Sequence, residues 1–206
     1  MSDSPVILAI DTTSENASVV VRRGHATAAE VHLQSADGFG HLIIQAIDEV
    51  LKKAHTRLPE VDCFAAASGP GSFTGVRVTL AAVKGLAEAM HKPAAGISNL
   101  RALSLSGQAD LRAVMLDARR GQIFGAVYDA QTRMVMPETV ANREEWIKTV
   151  PAGAEFIGVD GGPRWLAAAI AECAEIDGAA GWSDPTVLDA NYVRRSDAEL
   201  SWTDEN

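Results

Sequence analysis

The chain has 206 residues, 47% of them hydrophobic and 22% charged, which is enough apolar material for a core in one domain or in two small lobes. Its formal net charge of −9 repels nucleic acid on average, and no dense Lys/Arg patch offsets it, so a stand-alone tRNA or DNA binder is excluded. Cys63 and Cys173 fit two buried thiols in a reducing cytoplasm rather than a disulfide scaffold, and the first ten residues lack a signal-peptide pattern, so a cytoplasmic protein with no membrane segment is expected.

From the N-terminus, Val6–Ile10 reads as a buried strand that delivers Asp11 at its carboxyl end. After the turn Thr13-Ser14-Glu15-Asn16, Ala17–Val21 reads as its hairpin partner, and a third strand runs over Ala28–Leu33. The stretch Phe39–Ala54 has helical periodicity. Its residues Val50, Ile43, Ala54, Ile47, Leu51 and Ile44 form one face that Ala46 and Leu42 widen to an arc of about 200°, where a core-facing helix needs little more than about 100°. His41, Gln45, Asp48 and Lys52 make up the polar strip that is left, so either this helix is sandwiched inside the monomer or part of its apolar face meets another chain.

An apolar strand-like run containing Cys63 then leads into Ser68-Gly69-Pro70-Gly71-Ser72-Phe73-Thr74-Gly75-Val76-Arg77. Gly69, Gly71 and Gly75 allow positive φ and close backbone approach, while Ser72 and Thr74 can cap the following helix and aim its free amides at an anion. No Lys-Ser/Thr pair closes a P-loop, and Thr74 stands where the dinucleotide fingerprint needs a third glycine, so a plain strand-to-helix connection stays open beside the anion-binding reading. The helix Thr74–Met90 carries two stripes. One is bulky (Val76, Leu80, Val83, Leu86, Ala87, Met90) and the other small (Val78, Ala82, Gly85, Ala89), and the small one forms a seam that another helix can approach closely. The seam holds either a helix of the same lobe or a second chain. Because both helices carry surplus apolar surface, they are favoured as an interface of about 1,200 to 2,000 Å² in total.

Later, Ala113–Leu116 delivers Asp117, the turn Ala118-Arg119-Arg120-Gly121 follows, and Ile123–Tyr128 returns. Strand, terminal aspartate, tight turn, strand is the opening pattern over again, which predicts an internally duplicated two-lobe α/β fold with units at residues 1–100 and 101–206. This arrangement resembles the actin-like ATPase (ASKHA, RNase H-like) architecture, in which both turns face nucleotide phosphates. Asp11-Thr12-Thr13-Ser14 has the small residues that such a turn needs, whereas the second turn has bulky arginines, so the second lobe reads as degenerate. Further on, Asn142 caps a short helix, Phe156–Val159 reads as a strand, Asp160-Gly161-Gly162-Pro163 as a turn and Arg164–Glu175 as a helix. The tail from Trp182 is expected to end disordered, and the doublets Arg22-Arg23, Lys52-Lys53, Arg119-Arg120 and Arg194-Arg195 are expected to be solvated.

No catalytic constellation assembles. The five histidines show no i, i+3 or i, i+4 pair and no Cys-x-x-Cys exists, so no metal site is expected. Ser72 lacks nucleophile-elbow spacing and an identifiable His or acid partner, and no second carboxylate can be named beside Asp11 for general-base work. The enzymatic alternative is a small-molecule kinase or ATPase that uses Asp11 with the Ser72/Thr74 loop.

The combination of Ile7-Leu8-Ala9-Ile10-Asp11-Thr12-Thr13-Ser14, the glycine loop through Val76-Arg77, Lys84-Gly85-Leu86-Ala87, Gly96-Ile97-Ser98-Asn99-Leu100, Asp117-Ala118-Arg119 and Tyr192-Val193-Arg194-Arg195-Ser196-Asp197-Ala198-Glu199-Leu200 closely resembles the bacterial TsaB (YeaZ) family. The resemblance implies a non-catalytic dimerization subunit of the complex that forms N6-threonylcarbamoyladenosine in tRNAs reading codons that begin with A. It implies the catalytic TsaD subunit and the TsaE ATPase as partners, with ATP and Mg on those partners and none of its own, and tRNA reached through the complex. A homodimer is possible in isolation. It also implies an interface on the first-lobe helices, carried here by His41, Ile44, Leu51, Val78, Ala82, Gly85 and Ala89. Asp11, Thr12, Thr13, Ser14, Gly69, Gly71, Ser72 and Thr74 are then vestigial anion or nucleotide loops.

Overall fold

A computed structural model gives the fold, described over residues 4–158 and 164–193. Strand β1 (Val6–Asp11) is buried along its whole length because it lies between an antiparallel neighbour, β2 (Asn16–Arg23), and a parallel one, β4 (Cys63–Gly69). With β3 (Ala26–Gln34) and β5 (Ala94–Ser98) they make a five-stranded sheet of order β3-β2-β1-β4-β5. Alternation along the strands divides the apolar residues between two faces. Leu8, Ile10, Val19, Val21 and Val31 share a core with α1 (Ile43–Lys53) and α2 (Phe73–Met90), while Ile7, Ala9, Val20, Ala65 and Ala67 pack with α3 (Asn99–Ser104) and α5 (Ala167–Asp177).

The second sheet holds β6 (Leu111–Asp117), β7 (Gln122–Asp129), β8 (Met134–Asn142) and β9 (Glu155–Ile157) in the order β8-β7-β6-β9. Three antiparallel strands followed by a parallel fourth repeat the succession β3-β2-β1-β4. The duplication is therefore one of topology as well as of sequence pattern, as in the actin-like fold. Among the described residues no strand fills the fifth position, which makes the second lobe the degenerate one. Its outer face is covered by α4 (Arg143–Thr149), which starts where Asn142 Oδ1 accepts the amides of Glu144 and Glu145 at 3.0 and 3.3 Å and which buries Trp146. A Cβ on Gly125 would stand 2.7 Å from the indole, so the glycine makes room for it.

Several expectations are corrected. Helix α1 begins at Ile43, four residues after the expected start, because Phe39 to Leu42 form a turn closed by the Leu42 and Ile43 amides on the Phe39 carbonyl. Its wide apolar arc is consumed by β2 and β3, so Ile43, Ala46, Ile47, Val50 and Leu51 are buried, and Ile44 alone among the bulky residues of that arc stays largely out. Strand β9 begins one residue early, with Val159 outside the described residues, and α5 starts at Ala167 instead of Arg164 and runs on to Asp177. The expected turn at residues 160–163 and the doublet at 194–195 also lie outside the described residues.

The division at residue 100 separates the sheets but not the chain. Helix α5, placed by the sequence in the second unit, packs on β1, β2, β4 and β5 of the first sheet. Two arginines tie it down. The Arg22 Nε donates to Glu175 Oε2 at 2.7 Å, so this member of a doublet expected to be solvated is buried, and Arg101 grips Asp177 through two bonds of 2.7 and 2.6 Å. Of the tail expected to end disordered, residues 183–193 dock on the first lobe, and its end lies outside the described residues. Ser183 and Ala94 exchange backbone hydrogen bonds at 2.8 and 2.9 Å, and Leu188 is buried in the first core. Cys63 and Cys173 are free and buried, and burial pushes both thiols up to about 12. No helix of the described residues is long and apolar enough to cross a membrane.

Candidate functional site

Both aspartate turns open on one cleft of about 850 Å³, which is also lined by Gly71, Ser72 and Thr74 of the glycine loop. On the first side, Asp11 is buried at the end of β1. Its Oδ1 accepts the Thr13 amide at 2.8 Å and the Thr13 hydroxyl at 2.6 Å, and that hydroxyl in turn accepts Asn99 Nδ2 at 2.6 Å. Asn99 Oδ1 accepts the Gly69 amide at 3.3 Å, so one chain of bonds runs from the carboxylate through α3 to the glycine loop.

Thr12 is held equally closely. Its amide donates to Thr79 Oγ1 at 3.0 Å and its hydroxyl donates to the Gly75 carbonyl at 2.7 Å. A hydroxyl has one hydrogen, so in the 2.8 Å contact between the two threonine side chains Thr79 is the donor.

Burial raises the Asp11 carboxyl above its ordinary 3.8, outweighing the bonds from Thr13 and from the Leu166 backbone that act the other way. A raised native value means that folding favours the protonated form, so this group stabilises most below pH 3.8 and loses that contribution as pH rises through the native value. Asp11→Asn keeps an oxygen for Thr13 and removes the titration. Chemical denaturation between pH 4 and 7 is expected to show the variant gaining on the native protein as pH rises. A stability difference constant across that range would contradict the burial argument.

The glycine loop packs against the aspartate turn itself. Ser72 is the N-cap of α2, its hydroxyl accepting the Gly75 amide at 3.3 Å, and its own amide donates to the Thr13 carbonyl at 2.7 Å. An added Cβ on Gly71 would lie 2.7 Å from the Thr13 carbonyl oxygen, and one on Gly75 would lie 2.0 Å from that of Thr12. The glycines thus admit a backbone neighbour where the anion-binding reading put a phosphate. The two motifs are thereby locked against each other, while both still line the cleft.

Across the cleft the second turn copies the first. Asp117 Oδ1 accepts the Arg119 amide at 2.7 Å, matching the bond from the Thr13 amide to Asp11. Arg119, Arg120 and Gly121 all take positive φ, at 63°, 55° and 73°, and Asp117 is exposed where Asp11 is buried. Arg119 lines the cleft and brings a cation to the side where the fold's pattern calls for small residues.

The structure therefore brings Thr12, Thr13, Ser14, Gly71, Ser72 and Thr74 together on the cleft wall, with Asp11 and Gly69 behind them. The expected interface residues separate. Leu51, 9% exposed, belongs to the core and is withdrawn, because α1 turns that face onto β2 and β3. His41 is exposed, Ile44 is 65% exposed, Val78 and Ala82 are half-buried, and Gly85 and Ala89 face out. Among the described residues nothing outside α2 lies within 4 Å of a Cβ built on Gly85, so the seam is open at that position. Sequence reasoning missed Asn99 and Thr79. Thr79 had a signal, since it is a polar residue flanked by the buried positions of α2. Among the described residues no group of three His, Cys, Asp or Glu side chains is placed to hold a metal.

A family model described as TsaD, tRNA N6-adenosine threonylcarbamoyltransferase, matches residues 34–160. The TsaB protein of Haemophilus influenzae, named for tRNA threonylcarbamoyladenosine biosynthesis, is 36% identical over 125 residues, which cover 57% of this chain and 51% of that one. The Escherichia coli TsaB protein is 32% identical over 127 residues, covering 59% and 54%. The matched stretch thus spans about half the length of these two curated relatives. The crystal structure of YeaZ from Pseudomonas aeruginosa superposes with a TM-score of 0.76 over 91% of this chain and 99% of its own at 22% identity, a likeness of fold. Matched over more than half its length by the family model and aligned with TsaB proteins of several bacteria, the chain belongs to the TsaD-related family, on its TsaB (YeaZ) branch.

Proposed function

We propose that this chain is the non-catalytic dimerization and activator subunit of the complex that forms N6-threonylcarbamoyladenosine in tRNAs reading codons that begin with A. It pairs with the catalytic TsaD subunit through α2 and the exposed end of α1. TsaE joins the assembly, ATP and Mg are held by those partners, and tRNA is reached through the complex in the cytoplasm. In isolation the same face serves a homodimer.

The observation that carries this reading is the open face of α2. Gly85 has free space at its Cβ, Ala89 is exposed, and Val78 and Ala82 are only half-covered, so a partner helix can approach the backbone closely. The names of the relatives supply the pathway. A kinase or ATPase reading that uses Asp11 with the Ser72/Thr74 loop is not favoured by the relatives, which are named for tRNA threonylcarbamoyladenosine biosynthesis. Depletion of the protein in its host, followed by mass spectrometry of tRNA nucleosides, is expected to show loss of threonylcarbamoyladenosine. An unchanged level overturns the assignment.

A further inference from the structure

Glu138, at the middle of β8, collects three donors that come from three different parts of the molecule. The Tyr128 hydroxyl of β7 donates to its Oε1 at 2.6 Å, and the Ser98 hydroxyl at the end of β5 donates to the same oxygen. Asn191 Nδ2 donates to Oε2 at 2.6 Å. Ser98 belongs to the first sheet and Tyr128 to the second, so this carboxylate joins the two lobes. Asn191 belongs to neither. It lies in the C-terminal segment, where its amide donates to the Ser68 carbonyl at 2.8 Å and its Nδ2 also reaches the Gly69 carbonyl at 3.4 Å, directly above the glycine loop.

The next residue connects this node to α2. Tyr192, 51% exposed, lies 6.1 Å from the Phe73 ring between centroids. Phe73, 52% exposed, is the first residue of α2, and the Arg77 guanidinium stacks over its ring at 3.6 Å. An exposed aromatic pair capped by a cation thus stands at the N-terminal end of the helix that also carries Gly85. Lys84 Nζ reaches back to the Thr186 carbonyl at 3.5 Å, giving the strap a second tether to the same helix.

We propose that Glu138 is an inter-lobe latch that seats the C-terminal strap, residues 183–193, over the glycine loop and thereby sets Tyr192 against Phe73 as part of the docking face of α2. The seating is a property of the free protein. The docking half rests on the interface proposed above.

Glu138→Gln tests both halves, because an amide of the same shape cannot accept from all three donors. In hydrogen exchange on the full chain, the Asn191 amide is expected to exchange about tenfold faster or more, the scale of losing one hydrogen bond to a charged group. Amides of β1 and β2 are expected to stay within about twofold of native in the same run. Strap exchange within about twofold of native, or equal acceleration throughout the chain, overturns the latch. Should the variant fail to fold, Asn191→Ala removes only the side-chain donor that joins the strap to Glu138 and Gly69, leaves Tyr128 and Ser98 on Glu138, and carries the same expectations for the backbone amide of residue 191.

For the docking half, Glu138→Gln is expected to weaken co-elution with TsaD about tenfold, the loss of roughly one good polar contact. A loosened strap with native co-elution overturns that half and leaves the latch standing. If Gly85→Trp also leaves co-elution unchanged, the α2 interface itself is wrong, and this result is distinct from failure of the latch.

Discussion

Gly75→Ala is expected to destabilise the protein by about 3 kcal/mol, the upper part of the usual range for overpacking, and to lower its Tm by about 6 to 12 °C. An alanine methyl there would stand 2.0 Å from the Thr12 carbonyl oxygen, 2.9 Å from its carbon and 3.1 Å from the Thr13 Cα. All three are backbone atoms of the turn that follows β1, and that turn is already fixed by Thr79, Asn99 and the Gly75 carbonyl. Nothing near the methyl is the free end of a side chain, so either α2 or the turn has to shift. The better helix propensity of alanine recovers at most about 1 kcal/mol. Thermal and urea unfolding of native and variant protein measure the effect, and a variant within about 0.5 kcal/mol of native would contradict the backbone lock.

Gly85→Trp, on the same helix, is expected to act in the opposite way. With nothing among the described residues outside α2 within 4 Å of its Cβ, the bulky side chain projects away from the protein, and the monomer should keep its stability within about 0.5 kcal/mol. Under the proposed pairing, binding to TsaD is expected to fall more than about a hundredfold, because an indole at Gly85 would hold a partner helix away from the seam Val78, Ala82, Gly85, Ala89. Size-exclusion co-elution and titration of the pair read this directly. A folded variant that still co-elutes with native affinity shows that the partner sits elsewhere. Gly75 and Gly85 thus separate two uses of glycine ten residues apart, one for the inside of the protein and the other for its outside.

The central strands were legible because both faces of β1 and β4 are covered, leaving unbroken apolar runs, and because each hairpin turns on an aspartate. The repeat was legible for the same reason. β8 escaped because it is an edge strand with Pro137 and Glu138 at its centre, positions that only an unpaired edge tolerates, and β5 escaped because Ala94-Ala95-Gly96 lacks the branched residues that mark strands. On α1 the width of the apolar arc was read correctly, and of the two destinations it allowed, the inside of the monomer takes most of the arc and leaves Ile44 out. A wheel cannot tell a partner chain from the β2 and β3 surface that receives Ile47 and Leu51.

The attachment of the tail was not legible. Residues 183–193 mix polar and apolar side chains and dock through backbone bonds to Ala94 and Ser68, through the Asn191 side chain and through the buried Pro185 and Leu188, a mode of attachment that leaves little trace in residue type. At the site, the two motifs were legible singly. Their contact was not, since the distance between Gly75 and Thr12 depends on how sixty intervening residues cross over.

The return of α5 to the first sheet also bears on synthesis at the ribosome. When the segment through β5 has emerged, Ile7, Ala9, Val20, Ala65 and Ala67 still await the helix that will cover them, and that helix is made about seventy residues later. A nascent chain of this protein therefore carries an apolar sheet surface that only α3 covers for about a third of its translation, the kind of surface that chaperones hold and that aggregation exploits. A fragment ending at residue 100 would keep that surface permanently.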